Sequence, residues 1–350
     1  MKNRAYAKAG VDIELGNQVK QSLPELLRST HRPEVLGSVG GFGGLFRLNT
    51  KGMKRPVLVS SVDGVGTKLK VAFAARKHHT IGQDLVNHCV NDIAVLGAEP
   101  LFFLDYLGTG VLKPRVFESI ISGFAKACRE NRCALVGGET AQMPAFYQKG
   151  EYDVSGTIVG IVDEKRMLDG KSIKAGDVIL GLPSNGLHTN GYTLAREILF
   201  NQLNLRPHSK MKELGTTVGE ELLRVHRSYL AVIQKLLRRF HLQPRTRSIK
   251  GLAHITGGGF TDNIPRILPQ KVDAKIARGS WPVPPIFELI QREGQVSSSE
   301  MHTVFNMGIG MVMIVRRDQS DAICRYLKRI KEPVFQIGSV VRGRGQCHLA

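Results

Sequence analysis

Three carboxylates set beside glycines or on a polar helical stripe carry the most chemical information in this chain. Asp63 opens the string Asp63-Gly64-Val65-Gly66-Thr67-Lys68, directly after a β-branched run. A carboxylate at a strand's end, followed by glycines, a hydroxyl and a lysine, suits a magnesium–phosphate site. Magnesium takes one or two carboxylates and leaves its other positions to phosphate oxygens and water. On that reading Asp63 holds the ion, Gly64, Gly66 and Thr67 approach the phosphates, and Lys68 offsets their charge. A plain turn is the alternative. The string is no P-loop, because the Gly-x4-Gly-Lys-Ser/Thr spacing is absent. Gly170-Lys171-Ser172 fails too, with Lys165 where the first glycine belongs.

Asp92 belongs to a helix expected over Ile81 to Leu96, with Gly97 as its stop. Ile81, Leu85, Cys89, Ile93 and Leu96 make its apolar face. Asp84, His88, Asn91 and Asp92 fall at i, i+4, i+7 and i+8, on one polar stripe. No lysine or arginine occurs from Ile81 to Phe103. A metal ion is then the expected source of compensating charge, with Asp92 the leading ligand. Glu139 stands in Val136-Gly137-Gly138-Glu139-Thr140, read as a strand running into a glycine turn. Asp63, Asp92 and Glu139 are expected to converge on one magnesium ion, with Asn91 and Gly138 beside a bound nucleotide.

Three further glycine-rich segments suit anions. Gly37 to Gly44 holds five glycines in eight positions. Such a segment serves either as a surface linker or as a mobile loop whose backbone N–H groups, at Gly40, Gly41, Gly43 and Gly44, wrap a phosphate chain. Ser184-Asn185-Gly186-Leu187-His188-Thr189-Asn190-Gly191 follows a strand and opens a helix. Thr256-Gly257-Gly258-Gly259 precedes another helix, where Thr261 or Asp262 could cap and Pro265 sits in the first turn. Both are candidate helix amino-terminal sites for a substrate phosphate. His188 lies within the first of them and suits either catalysis or a structural hydrogen bond.

The elements that must hold these residues read as mixed α and β. Strands are expected at Pro56 to Val62, Leu101 to Leu107, Cys133 to Val136, Val154 to Val162, Asp177 to Leu182 and Met311 to Val315. Helices are expected at Pro114 to Asn131, Tyr192 to Phe200, Gly219 to Phe240 and Asp262 to Leu268. A chain of 350 residues exceeds one comfortable core, so two domains are expected, 1–168 and 169–350. Five cysteines without a Cys-x-x-Cys pair argue against a disulfide framework or a zinc site, and for a reducing, cytoplasmic setting. The first sixteen residues lack the apolar core of a signal peptide, and no apolar run approaches a membrane span. The formal charge of +19 raises the question of nucleic acid. The segment Leu222 to Lys250 has eight basic residues and no carboxylate, but its apolar residues recur at helical spacing, and it runs into a loop at Pro244 and Arg245. A solvated basic helix face is the preferred reading.

Together these strings resemble the phosphoribosylformylglycinamidine cyclo-ligase, or aminoimidazole ribonucleotide synthetase, family. The resemblance runs from Tyr6 to about Gly338. It includes His31-Arg-Pro-Glu-Val-Leu-Gly, Asp63-Gly-Val-Gly-Thr-Lys, Val90-Asn-Asp-Ile, Gly97-Ala-Glu-Pro-Leu-Phe-Phe-Leu-Asp-Tyr, His188-Thr-Asn-Gly-Tyr, His254-Ile-Thr-Gly-Gly-Gly-Phe and Trp281-Pro-Val-Pro-Pro-Ile-Phe, in that order. It implies a two-domain α+β fold and a homodimer in which amino-terminal strands of two subunits build a central barrel. It also implies ATP- and Mg2+-dependent conversion of formylglycinamidine ribonucleotide to aminoimidazole ribonucleotide. On that basis Asp63, Asp92 and Glu139 are assigned to magnesium, and Lys68 and the Gly40 to Gly44 loop to ATP phosphates. Ser184, Asn185, Gly186, Asn190 and Gly257 to Gly259 go to the ribonucleotide, and His188 to proton transfer. Neither nucleic acid nor membrane is expected as a partner. Departures from the family pattern fall mainly in loops, at Ser38, Val111, Gln142 and Ala145, and in the Asn87-His88 pair. The rival readings are another ATP-dependent phosphoryl transfer on this scaffold, a nucleic-acid-binding protein, and a catalytically silent homologue.

Overall fold

The computed structural model describes residues 4–21, 23–37, 40–242 and 247–350. Ser38 and Val39 of the first glycine segment, and Pro244 and Arg245 of the basic segment, lie outside the described residues.

Two short strands, β1 (Val35–Leu36) and β2 (Leu45–Phe46), pair antiparallel ahead of the first main sheet. That sheet contains β3 (Pro56–Gly64), β4 (Glu99–Thr109), β5 (Ala134–Gln142) and β6 (Tyr152–Asp163), in the order β3-β6-β4-β5. Only the β4–β5 pair is parallel. Alternation is clean in β3. Val57, Val59, Ser61 and Asp63 are half-buried, while Leu58, Ser60 and Val62 are exposed on the other face. The buried face takes the His79–Ala94 helix, which contacts β3, β6 and β4.

That helix is fixed laterally by the Pro114–Glu130 helix. Gly82 meets the backbone of Ile120 and Phe124, and Gly123 meets that of His79, so a side chain at either position would collide with main chain. Close glycine-to-glycine contact pins the depth and rotation of the His79–Ala94 helix, and hence where its polar stripe points.

The second main sheet begins with β7 (Val178–Pro183). After a small hairpin of β8 (Lys210–Met211) and β9 (Thr216–Thr217) come β10 (Ile249–His254), β11 (Val272–Ile276), β12 (Ile309–Val315), β13 (Phe335–Arg342) and β14 (Cys347–Leu349). The order is β10-β12-β7-β13-β11-β14, antiparallel except for β11–β14. Every residue of β12 is buried, which explains its continuous apolar sequence. Mainly antiparallel sheets with helices make the class α+β.

Several local expectations change. The expected Gly219–Phe240 helix is two helices, Val218–Leu222 and Leu230–Phe240, with an irregular segment between them. Strand β5 does not stop at a glycine turn but continues through Gly137 to Gln142. The helix after the Gly257–Gly259 string starts at Gly259, with Gly258 in a left-handed conformation as its cap rather than Thr261 or Asp262. It ends at Asn263 and passes into a 3-10 turn at Pro265–Ile267.

Candidate active site

The polar stripe of the His79–Ala94 helix is the seam between the two halves of the chain. Asp84 accepts the His226 N–H at 2.7 Å. Asn87 donates to the His226 carbonyl at 2.8 Å. Asn91 donates to the Arg227 carbonyl at 2.9 Å and accepts the Tyr229 N–H at 2.8 Å. These short polar side chains satisfy the backbone of the irregular segment between the two carboxy-terminal helices, as buried main-chain groups require. Asn91, expected beside a nucleotide, is therefore wholly engaged inside the protein.

The cation missing from the helix's own sequence comes from the preceding helix. Lys68 is fully buried and its ammonium makes three hydrogen bonds: to Asp84 at 2.8 Å, the His188 carbonyl at 3.1 Å and the Arg224 carbonyl at 2.7 Å. An ammonium has three N–H groups, so none is left here for a phosphate. Burial pushes both Lys68 and Asp84 toward their neutral forms, against the attraction between them. The expectation of a Lys68 that offsets ATP charge gives way to a lysine that ties the two halves together.

Asp63 and Asp92 do come together, around His88. The His88 Nε2 lies 2.8 Å from an Asp63 oxygen and 3.9 Å from an Asp92 oxygen. Asp92 also accepts from Ser61 at 3.0 Å and from His254 Nδ1 at 2.8 Å. Burial raises both carboxyl pKa values, but the imidazole contacts outweigh it, and both end below the usual carboxylate range. Burial alone would lower the His88 pKa; the Asp63 and Asp92 charges reverse this to a net rise. Two ionised carboxylates, both partly exposed, present hard oxygen donors and fit a magnesium ion.

Glu139 does not join them. It is in register with Tyr106, Tyr106 with Ser155, and Ser155 with Gly64, so three strand spacings separate it from the Asp63 end of β3. That is roughly 14 Å at about 4.8 Å per strand. Asp63 registers through Gly156 and Asp105 with Gly138, so Glu139, one residue on, faces the opposite side of the sheet. It is exposed there. At Gly138 a side chain would strike the Asp105 carboxylate, so this glycine permits close strand packing.

The loops of the two halves share a cleft of about 730 Å³ lined by Gly66, Thr67, Thr189, Asn190, Gly191 and Arg196, among others. Across it the Thr67 and Thr193 hydroxyls are 2.9 Å apart. The Arg196 Nε is buried with no hydrogen-bond partner. Gly257 packs toward the Asn190 amide, so the two glycine strings of the second half are neighbours. Ser184 donates to Asn306, whose amide also holds the Gly186 and Leu187 carbonyls at 3.0 and 3.3 Å. Gly40 and Gly43 have open space around them and Phe42 is fully exposed, whereas Gly44 packs on Val136.

His188, next in sequence to the cleft-lining Thr189, is buried, at a left-handed φ of 63°. Its Nε2 faces Asn185 at 3.0 Å, and its ring stacks on His226 with centroids 4.1 Å apart. Burial, then neighbouring imidazoles and Lys68, hold its pKa well below the ordinary value. His226 is shifted the same way. Sequence reasoning missed His226, Thr189, His254 and Arg196 as site residues. His226 was hidden inside an expected helix, and His254 was visible only as part of a family string.

Residues 47–162 match the N-terminal domain of AIR synthase related proteins, and residues 174–348 match their C-terminal domain. A phosphoribosylformylglycinamidine cyclo-ligase of Syntrophotalea carbinolica is 50% identical over 341 residues, covering 97% of this chain and 95% of its own. The enzyme of that name from Geobacillus thermodenitrificans is 50% identical over 342 residues, covering 98% and 97%. The chain belongs to the phosphoribosylformylglycinamidine cyclo-ligase family. Members of the cyclo-ligase family are ligases, and this chain is one. Its fold is also that of more distant proteins. Thiamine-monophosphate kinase from Stenotrophomonas maltophilia superposes with a TM-score of 0.70 at 17% identity, covering 94% of this chain and 95% of the kinase. The hydrogenase maturation protein HypE, in complex with ATP, superposes at 0.68 with 19% identity, covering 95% and 90%. No helix among the described residues is long and apolar enough to cross a membrane.

Proposed function

We propose that this chain closes the imidazole ring of 5-aminoimidazole ribonucleotide from formylglycinamidine ribonucleotide, consuming ATP and releasing ADP and phosphate, as a step of purine synthesis. The observation that carries this reading is the shared cleft. It brings the Gly66–Thr67 turn of one half against the Thr189–Gly191 turn of the other, with a partnerless Arg196 Nε in its wall. A triphosphate and a sugar phosphate need two such sets of backbone donors facing each other.

In this reading Asp63 and Asp92 hold magnesium, and Glu139, on the far face of the sheet, is left out of that ion's shell. Gly64, Gly66 and Thr67, with the exposed Gly40, Gly41, Gly43 and Gly44 loop, receive the ATP phosphates, and Arg196 supplies the charge once expected of Lys68. Ser184, Asn185, Gly186, Asn190 and Gly257 to Gly259 receive the ribonucleotide. ATP supplies the phosphoryl group that turns the substrate's amide oxygen into a leaving group. An internal amine then attacks the same carbon. The carbon–nitrogen bond forms, the carbon–oxygen bond breaks, phosphate departs, and one proton leaves the nitrogen. The protein's part is to neutralise charge and hold the attacking geometry, both large sources of rate. Buried His188 and Lys68, next in sequence to the cleft-lining Thr189 and Thr67, act as positioning residues.

The same reading pairs two subunits through the outer face of the first sheet, closing a barrel. Leu58 and Val62 support it, being 60% and 67% exposed on that face. The five free thiols suit a reducing cytoplasm.

The test is an assay of the purified chain with ATP and Mg2+ against formylglycinamidine ribonucleotide or thiamine monophosphate. ADP and an aromatic amine detectable by diazo coupling are expected with the first substrate alone. ADP formation with thiamine monophosphate, and none with the ribonucleotide, would replace this reading with a kinase.

A further inference from the structure

His88 is neither one of the two magnesium carboxylates nor part of the ribonucleotide turn, yet it touches both. Its ring is buried and packs on the rings of His226 and His254, with centroids 5.1 Å from each. Its Nε2 lies 2.8 Å from one Asp63 oxygen, and its Nδ1 lies 2.7 Å from the Thr189 hydroxyl. The surrounding network sets the direction of each bond. An ionised carboxylate only accepts, so His88 Nε2 carries a hydrogen and donates it to Asp63. Asn91 is oriented by two backbone contacts, accepting from Tyr229 N and donating to the Arg227 carbonyl. Its second N–H meets His226 Nε2 at 3.2 Å, which leaves the His226 proton on Nδ1, toward the Thr189 oxygen at 3.2 Å. The Thr189 hydroxyl keeps its own hydrogen for His88 Nδ1. Donors and acceptors then run in one sense, from Asn91 through His226, Thr189 and His88 to Asp63.

We propose that His88 is a positioning residue for the ion, holding the Asp63 carboxylate in its ligating orientation from an anchor on the Thr189 turn. The inference rests on the assignment of Asp63 and Asp92 to magnesium and deepens it. Asp92 has holders of its own in Ser61 and His254. Asp63, whose side chain is 40% exposed, has no side-chain donor but His88 among the described residues. Its other oxygen accepts the Gly64 N–H at 2.7 Å. Each carboxylate oxygen has two acceptor directions, so one donor on each oxygen stops rotation of the group and still leaves each a lone pair for the ion. Without His88 a partly exposed aspartate at a strand's end turns freely, and the ion must order it on binding. His88 itself is held at Nδ1, and that anchor lies in the other half of the chain. The ion ligand of the first half is thereby kept in register with the turn that lines the cleft in the second.

The test uses Mn2+, which shares magnesium's preference for octahedral oxygen sites. Full-length protein is stripped with chelator and titrated without ATP, bound ion being read from loss of the free-ion EPR signal. An Asn amide at position 88 is short enough to reach only the Thr189 side, whereas a Gln amide places its nitrogen near the old Nε2. His88→Asn and the apolar His88→Met should therefore bind Mn2+ about 10–100-fold more weakly than wild type, and His88→Gln should recover most of that loss. Wild-type affinity in His88→Asn or His88→Met would overturn the proposal. So would a His88→Gln as weak as His88→Met, since the loss would then not follow the donor. Pulsed EPR of the wild-type ion decides the matter even where a variant does not fold: strong coupling to an imidazole nitrogen would make His88 a ligand and remove the positioning role. Asp63→Asn separates this inference from its premise. If it binds like wild type, the ion assignment falls and the proposal with it; if it loses the ion while His88→Met keeps it, the positioning role falls alone.

Discussion

At Lys68 the three hydrogen bonds to Asp84, His188 and Arg224 make removal of the ammonium costly, because Asp84 would remain as an unpaired buried charge. Lys68→Met should destabilise the fold by about 3–5 kcal/mol, read as a lower urea midpoint. The double change with Asp84→Asn should recover part of that loss. A variant with wild-type stability but a raised KM for ATP would return Lys68 to the phosphates. Arg196 behaves oppositely. Its Nε is buried at the cleft wall without a partner, so Arg196→Met should leave Tm nearly unchanged. It should raise the KM of a phosphate-bearing substrate about tenfold, the effect of losing one charge-assisted hydrogen bond. An unchanged KM would remove it from the site. At this scale, sequence could name Asp63 and Asp92 by residue type. It could not assign Lys68, because its partner is sixteen positions away on another helix and spacing rules reach only one or two turns.

At the scale of elements, the His79–Ala94 helix was legible from its periodicity: Ile81, Leu85, Cys89 and Ile93 are buried as the spacing implied, whereas Leu96, expected on the same face, lies past the helix end and is exposed. Its stripe looked free of cations only because a stripe read alone omits what packs on it. The break in the expected Gly219–Phe240 helix was invisible, since apolar residues continue at helical spacing across it. Asp84, Asn87 and Asn91 stabilise that break by satisfying its backbone. Gly82→Ala forces a methyl group into the backbone of Ile120 and Phe124. It should cost about 1–3 kcal/mol and lower turnover by displacing the stripe; an unchanged Tm and turnover would contradict the glycine contact. At the carboxyl end, Asp273 accepts from Arg344 N and Gln346 N at 2.7 and 2.8 Å. These backbone donors bring its pKa to about 2, from an unperturbed 3.8. A depressed carboxyl pKa contributes stability above the unfolded value and loses it as pH falls through the folded one. The denaturant midpoint should therefore drop more in wild type than in Asp273→Asn between pH about 4 and pH about 2. Equal drops would show that the contact contributes nothing.

For the whole molecule, the mixed class was legible in the strand and helix runs; the division of the strands into two main sheets, the last strand of one ending at Asp163 and the first of the next starting at Val178, is seen only in the structure. What a single chain's sequence could not show is how sheet faces are used. Glu139 looked like a third magnesium ligand because each glycine-flanked carboxylate was read as a strand end, and register across three strands is not written in spacing. The exposed Leu58 and Val62 face gives a prediction at this scale. Val62→Lys should shift the mass in solution from dimer to monomer, and a dimer that persists unchanged would place the interface elsewhere.

In the proposed reaction Asp63 and Asp92 together hold the ion that lets ATP drive ring closure in the shared cleft. The most direct measurement is the rate of diazo-reactive amine and ADP formation from formylglycinamidine ribonucleotide in wild type, Asp63→Asn and Asp92→Asn across a magnesium titration. One ADP per amine in wild type is predicted, with kcat falling at least about a hundred-fold in each folded variant, as expected when transition-state electrostatics are lost. Wild-type rates and magnesium dependence in both variants would contradict it.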